Sequence, residues 1–249
     1  MKHLSILLCS IILILTTSPS WALNFPAVLN DEMSQTALGL NTKKVTIVIH
    51  GWQPCGGSGN AYASGSLYNL SQQLKTSFQG TGWQLVLYRW EQDADTTDPL
   101  LCNGVYNLGF LDVPSATAAA NNALQHGAHI AQLLNQQSPN LRQVHIIAHS
   151  AGTWAAYQAA HDLLQANQYV TIQITLLDGF VPGTGSLTTA TIDSLATDQG
   201  SDRIFRLENY HGTILNGDPA DLLGPACNHT FNNWRSNIDI NLLVSFVCI

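Results

Sequence analysis

A run of β-branched residues that stops abruptly on a small-x-Ser-x-Gly pentad leaves few folds open to this chain. Val144, Ile146 and Ile147 read as a strand, and Ala148-His149-Ser150-Ala151-Gly152 as a sharp turn. The alanine-rich stretch from Thr153 to Ala160 reads as a helix. Small residues at Ala148 and Gly152 let strand and helix approach closely, so the turn pushes the Ser150 hydroxyl out at the carboxyl end of a sheet. Unpaired N–H groups at the helix start face any negative charge that develops there. The unit predicts a nucleophilic serine on an open α/β sheet.

The remainder of the chain alternates apolar runs with helical patterns, which predicts a mostly parallel central sheet with helices on both faces. Strands are expected over residues 44–49, 84–90, 142–148, 170–177 and 203–207. Leu67, Leu70, Leu74 and Phe78 recur at helical steps and predict a helix over 66–78. A second, alanine-rich helix is expected over 116–136. The polar segment 91–114 and the stretch after Leu207 carry no regular pattern.

Met1-Lys2-His3, the apolar run Leu4 to Leu15, and small residues at Ser20 and Ala22 read as a signal peptide over 1–22. The apolar run is too short to span a bilayer. A single domain over 23–249 then follows in an exported protein, secreted or periplasmic. Export leaves Cys55, Cys102, Cys227 and Cys248, an even number that predicts two disulfides with three possible connectivities. Cys55–Cys102 with Cys227–Cys248 closes the shortest loops. These spacings match no zinc motif, and no metal or cofactor is expected. A formal charge of −7, with no basic patch, argues against nucleic acid as a partner.

A serine hydroxyl reacts only when a base takes its proton, an acid orients the base, and N–H donors await the oxyanion. Candidates occur in the order serine, acid, histidine that α/β-hydrolases use. Asp178, at the end of the strand after the elbow helix, is the expected acid. Glu208, one strand later, is its rival, with Asp193, Asp198 and Asp202 behind. The base is His211 or His229, between which spacing does not choose. His126, His129, His145 and His161 are expected at the surface or in structural roles, and His149 is expected to point away from Ser150 and support the turn. The Ala151 N–H and the Trp52 N–H, the latter in the loop His50-Gly51-Trp52, form the expected oxyanion hole.

Four short blocks in order resemble the pancreatic-type lipases, an α/β-hydrolase family that includes lipoprotein lipases and secreted phospholipases A1. They are Val48-Ile49-His50-Gly51-Trp52, Gln143 to Gly152, Leu177-Asp178-Gly179, and Ala226-Cys227-Asn228-His229. The second is similar to the family's Asn-Val-His-Val-Ile-Gly-His-Ser-Leu-Gly. The third is similar to Leu-Asp-Pro, which carries the acid, and the fourth to Ala-Cys-Asn-His, which carries the base. The resemblance thus implies Ser150, Asp178 and His229 as the triad. Ala148, Ala151, Trp154 and Gly179 replace the family's Gly, Leu, His and Pro. With no cysteine between Cys102 and Cys227, a disulfide-closed lid is not implied. The implied activity is hydrolysis of carboxylic esters through an acyl-enzyme, lipase or phospholipase A1-like. A lipid or other ester would be the substrate, with transient contact to a lipid surface. Acyl transfer, polyester hydrolysis and a non-catalytic binding role are the alternatives.

Overall fold

The computed structural model describes residues 22–53, 60–96, 112–197, 203–211 and 236–239. The bulk of the expected signal peptide, the four mature cysteines, Asp198, Asp202 and His229 lie outside them. A small hairpin, β1 (Asn30–Asp31) with β2 (Thr36–Ala37), precedes β3 (Lys44–Ile49), α1 (Gly65–Phe78) and β4 (Trp83–Tyr88). Then come the short α2 (Glu91–Ala94), the long α3 (Asp112–Gln137), β5 (Gln143–His149) and α4 (Thr153–Ala166). The described chain closes with β6 (Thr171–Leu177), α5 (Thr189–Thr197), β7 (Ile204–His211) and β8 (Ser236–Asp239). Six strands form one sheet in the order β4-β3-β5-β6-β7-β8, each pairing parallel.

Alternation along the strands sorts the apolar side chains onto two faces. Val45, Ile47 and Ile49 on β3, with Val144, Ile146 and Ala148 on β5, join the main core that includes α3 and α4. Val48, Leu85, Leu87 and Ile147 point the other way and meet Leu67, Leu70, Leu74 and Phe78 of α1. Helices therefore cover both faces of a parallel sheet, as the alternating pattern predicted. Among the described residues no helix is long and apolar enough to cross a membrane.

α3 and α4 approach so closely that side chains larger than alanine are excluded where they cross. A Cβ on Gly127 would sit 2.5 Å from the Ala155 carbonyl oxygen and 2.7 Å from Gln158 Cβ. The alanines on the facing sides of the two helices, Ala119, Ala120, Ala123, Ala156 and Ala159 among them, are fully buried.

On the second face a polar ladder crosses three strands. His145 Nε2 donates to Thr175 Oγ1 at 2.9 Å, and Thr175 donates to Glu208 Oε2 at 3.1 Å. The Arg206 guanidinium pairs with Glu208 Oε1 at 2.6 Å. Burial pushes His145 down to about 4, against the opposing pull of Glu208. Burial likewise pushes His126 down to about 4, although Asp93 opposes it. Both rings are structural, as expected.

Several elements depart from the sequence expectation. α3 begins four residues early, at Asp112, because Pro114 falls in the first helical turn, where a missing N–H costs nothing. α5 is rich in threonine and serine, poor helix formers, and exists by burying Ile192 and Leu195. β8, Ser-Asn-Ile-Asp, is a polar edge strand without alternation. The segment Asn24–Asp31 straps across the β4 side of the molecule. Asn24 N–H donates to Asp93 Oδ2 at 2.7 Å, and Leu85 N–H donates to Asp31 Oδ1 at 3.0 Å.

Neutral buried histidines bind fewer protons than their unfolded counterparts, whose ordinary value is about 6.5. Their stabilisation is therefore complete above that value and is lost as pH falls toward about 4. Guanidinium unfolding at pH 5.0 rather than 7.5 should show a loss on the order of 2 kcal/mol per histidine, and His145→Gln should flatten that dependence. Gly127→Ala should cost about 1–3 kcal/mol in the same assay by forcing α3 off α4.

Candidate active site

At the carboxyl end of β5 the chain turns from strand to helix within three residues. Ser150 takes φ 49°, a left-handed value costing an ordinary residue about 1–2 kcal/mol, and opens the 3-10 turn Ser150–Gly152 that leads into α4. The turn is possible only because its neighbours lack side chains. A Cβ on Gly152 would lie 2.5 Å from the His50 carbonyl oxygen. One on Gly51 would lie 2.5 Å from Ser150 Cβ. Ser150 itself is 3% exposed, so its hydroxyl sits in a largely dry setting.

Asp178 occupies the matching position one strand away. His149 pairs with Leu177 across β5 and β6, so Ser150 and Asp178 are the first residues beyond two adjacent strand ends. The paired ends His149 and Leu177 lie one strand spacing apart, about 5 Å. Asp178 also takes a left-handed φ, 48°, and its N–H donates to the Tyr210 carbonyl at 2.7 Å. The loop behind it is tied to the elbow, with Phe180 N–H donating to the Ser150 carbonyl at 3.2 Å. Trp154 Nε1 donates in turn to the Phe180 carbonyl at 2.9 Å.

The loop after β3 supplies the third wall. His50 Nδ1 donates to the Gly51 carbonyl at 2.8 Å. In a trans peptide N–H and C=O point in opposite directions, so this bond also sets the direction of the Trp52 N–H. Ala151 lies in the first turn of the helical unit, where an N–H has no intrahelical acceptor. His149 leans its Nδ1 to within 3.1 Å of where a Gly51 Cβ would stand, which props the turn.

Other sequence candidates fall elsewhere. Glu208 lies mid-strand opposite Thr175, its carboxylate taken up by Thr175, Gln173 and Arg206 on the sheet face. Asp193 is buried on α5, and His211 ends β7. Among the described residues no three His, Cys, Asp or Glu side chains gather as a metal site. Sequence reasoning missed Trp154, whose indole holds the loop after Asp178. Its signal was available: a tryptophan in an alanine-rich buried helix must find an acceptor for its N–H.

No family model matches the chain, and no curated protein matches it significantly. Among solved structures, it is similar to a dienelactone hydrolase from Anabaena variabilis at 13% identity, TM-score 0.34, over 71% of this chain and 65% of that one. A Bacillus licheniformis lipase in its propeptide form aligns at 11% identity, TM-score 0.35, over 72% of this chain and 38% of the lipase. An esterase from Pyrococcus furiosus aligns at 10% identity, TM-score 0.37, over 76% and 71%. Likeness this remote bears on neither substrate nor family.

The crowding at the elbow has measurable consequences. Gly51→Ala should slow covalent labelling of Ser150 by a fluorophosphonate at least about 10-fold, with the circular dichroism spectrum retained. Ser150→Gly relieves the left-handed strain and should raise the unfolding free energy by about 1 kcal/mol.

Proposed function

We propose that this chain is a serine carboxylic-ester hydrolase of lipase or phospholipase A1 type, exported after loss of residues 1–22. The observation that supports it most is the pairing of a strained, buried Ser150 with Asp178 at adjacent strand ends, beside a glycine-lined loop. His229 completes the triad by the motif Ala226-Cys227-Asn228-His229, which resembles that of the pancreatic-type lipases.

Ser150 Oγ attacks the acyl carbonyl while His229 removes the hydroxyl proton, and Asp178 orients the imidazolium so formed. The Trp52 and Ala151 N–H groups receive the oxyanion, each donor contributing on the order of 3 kcal/mol. Collapse of the intermediate expels the alcohol with the proton from His229, and water, activated by the same base, releases the acid. The substrate is a lipid ester or a related ester met at a lipid surface, and the destination is the periplasm or the medium. Cys55–Cys102 and Cys227–Cys248 are the disulfides of the mature form.

Fluorophosphonate labelling with peptide mapping tests this reading. Wild type should be labelled at Ser150, and both Ser150→Ala and His229→Ala should abolish the reaction. Hydrolysis of a short-chain p-nitrophenyl ester should fade below about pH 6 as the base is protonated, measured where circular dichroism shows the fold intact. A flat acid limb, or a folded wild type that resists labelling, would overturn the proposal. Ester products formed with an added alcohol would turn it toward acyl transfer.

A further inference from the structure

The loop that carries the Trp52 N–H is gripped from outside the site by the turn that follows β4. Trp90 is 2% exposed, and its indole N–H donates to the His50 carbonyl at 3.0 Å. Four residues on, the Ala94 carbonyl accepts the Gln53 N–H at 3.2 Å. These two bonds bracket Gly51 and Trp52. The carbonyl that Trp90 holds is also the atom against which Gly152 packs, where a Cβ would come within 2.5 Å. Movement of that one peptide would therefore shift the oxyanion loop and the elbow together.

Trp90 is itself locked in place. Its ring stacks on His50 with centroids 5.3 Å apart and planes 23° from parallel. Its other neighbour, His126, lies 5.4 Å away and is anchored by Tyr88 Oη at 2.9 Å and Asp93 Oδ2 at 2.9 Å. Phe25, on the strap at the start of the described chain, closes the stack at 4.8 Å from His126. A buried indole whose N–H is bonded and whose ring is packed against two neighbours is held in place by both.

We propose that Trp90 is a positioning residue for the reaction at Ser150. Its N–H, bonded to the His50 carbonyl, holds the His50–Gly51–Trp52 backbone at the distance from the nucleophile that the developing oxyanion requires. The inference rests on the hydrolase reading above. Since the bond orients a donor used only as negative charge develops, its loss should lower turnover and leave ground-state binding intact.

The test replaces Trp90 with benzothienylalanine, which keeps the ring's shape and exchanges the N–H for sulfur. Trp90→Phe serves as the companion that also removes volume. Fluorophosphonate labelling rates are measured first, on wild type, and kcat and KM are measured on separate unlabelled samples with a soluble p-nitrophenyl ester. The benzothienyl protein should melt with wild type, lose about 10-fold in kcat and in labelling rate, and keep KM within about twofold. Trp90→Phe should lose at least as much in kcat. Unchanged kcat in the benzothienyl protein overturns the inference alone, as does a loss carried by KM. Failure of folded wild type to label overturns the hydrolase reading and the inference with it.

Discussion

Two backbone segments converge at the carboxyl ends of β3 and β5 with no room between them for a single methyl group. Gly152 abuts the carbonyl of His50, Gly51 abuts Ser150 Cβ, and Ser150 is forced into a left-handed conformation between them. The positions of Ser150 and of the loop after β3 follow from this contact, and strand pairing sets Asp178 beside them. It is tolerated because the surrounding sheet is buried on both faces, and that burial offsets about 1–2 kcal/mol of strain at each of Ser150 and Asp178.

Around this contact, buried polar groups act as fasteners. Trp154 ties the loop after Asp178, Trp90 ties the loop after β3, and Tyr62 Oη donates to the carbonyls of Val48 and Tyr88 at 2.7 and 3.0 Å. Each couples a large buried ring to backbone carbonyls at or near the strand ends, so burial energy is spent on position. The His145–Thr175–Glu208 ladder follows the same rule in another place. It holds three strands together while its histidine stays neutral, and the cost is sensitivity to acid.

Much of this is legible in the sequence. β-branched runs located the strands to within a few residues, since a strand buried on both faces has little alternative composition. The Ser150 block announced the elbow through its two small residues. Elements whose stability comes from elsewhere were silent: α5 and the four-residue α2 have weak propensity and form by burying Ile192, Leu195 and Ala94, while β8 forms by pairing with β7. In the sequence Glu208 stands as a rival to Asp178, the expected acid. They differ by where each falls along its strand, mid-strand on a face or at the carboxyl end, which is a matter of register.

The sequence by itself determined the class of fold, the serine and the small residues flanking it, because these rest on local periodicity and on space for a side chain. Only the tertiary structure decided which distant groups hold the site. Trp90 lies 40 residues from the carbonyl it grips, and Trp154 lies 26 from its own. No local pattern encodes such a partnership. It arises when parallel pairing brings the ends of separate strands to one edge, and a buried indole there takes the acceptor within reach.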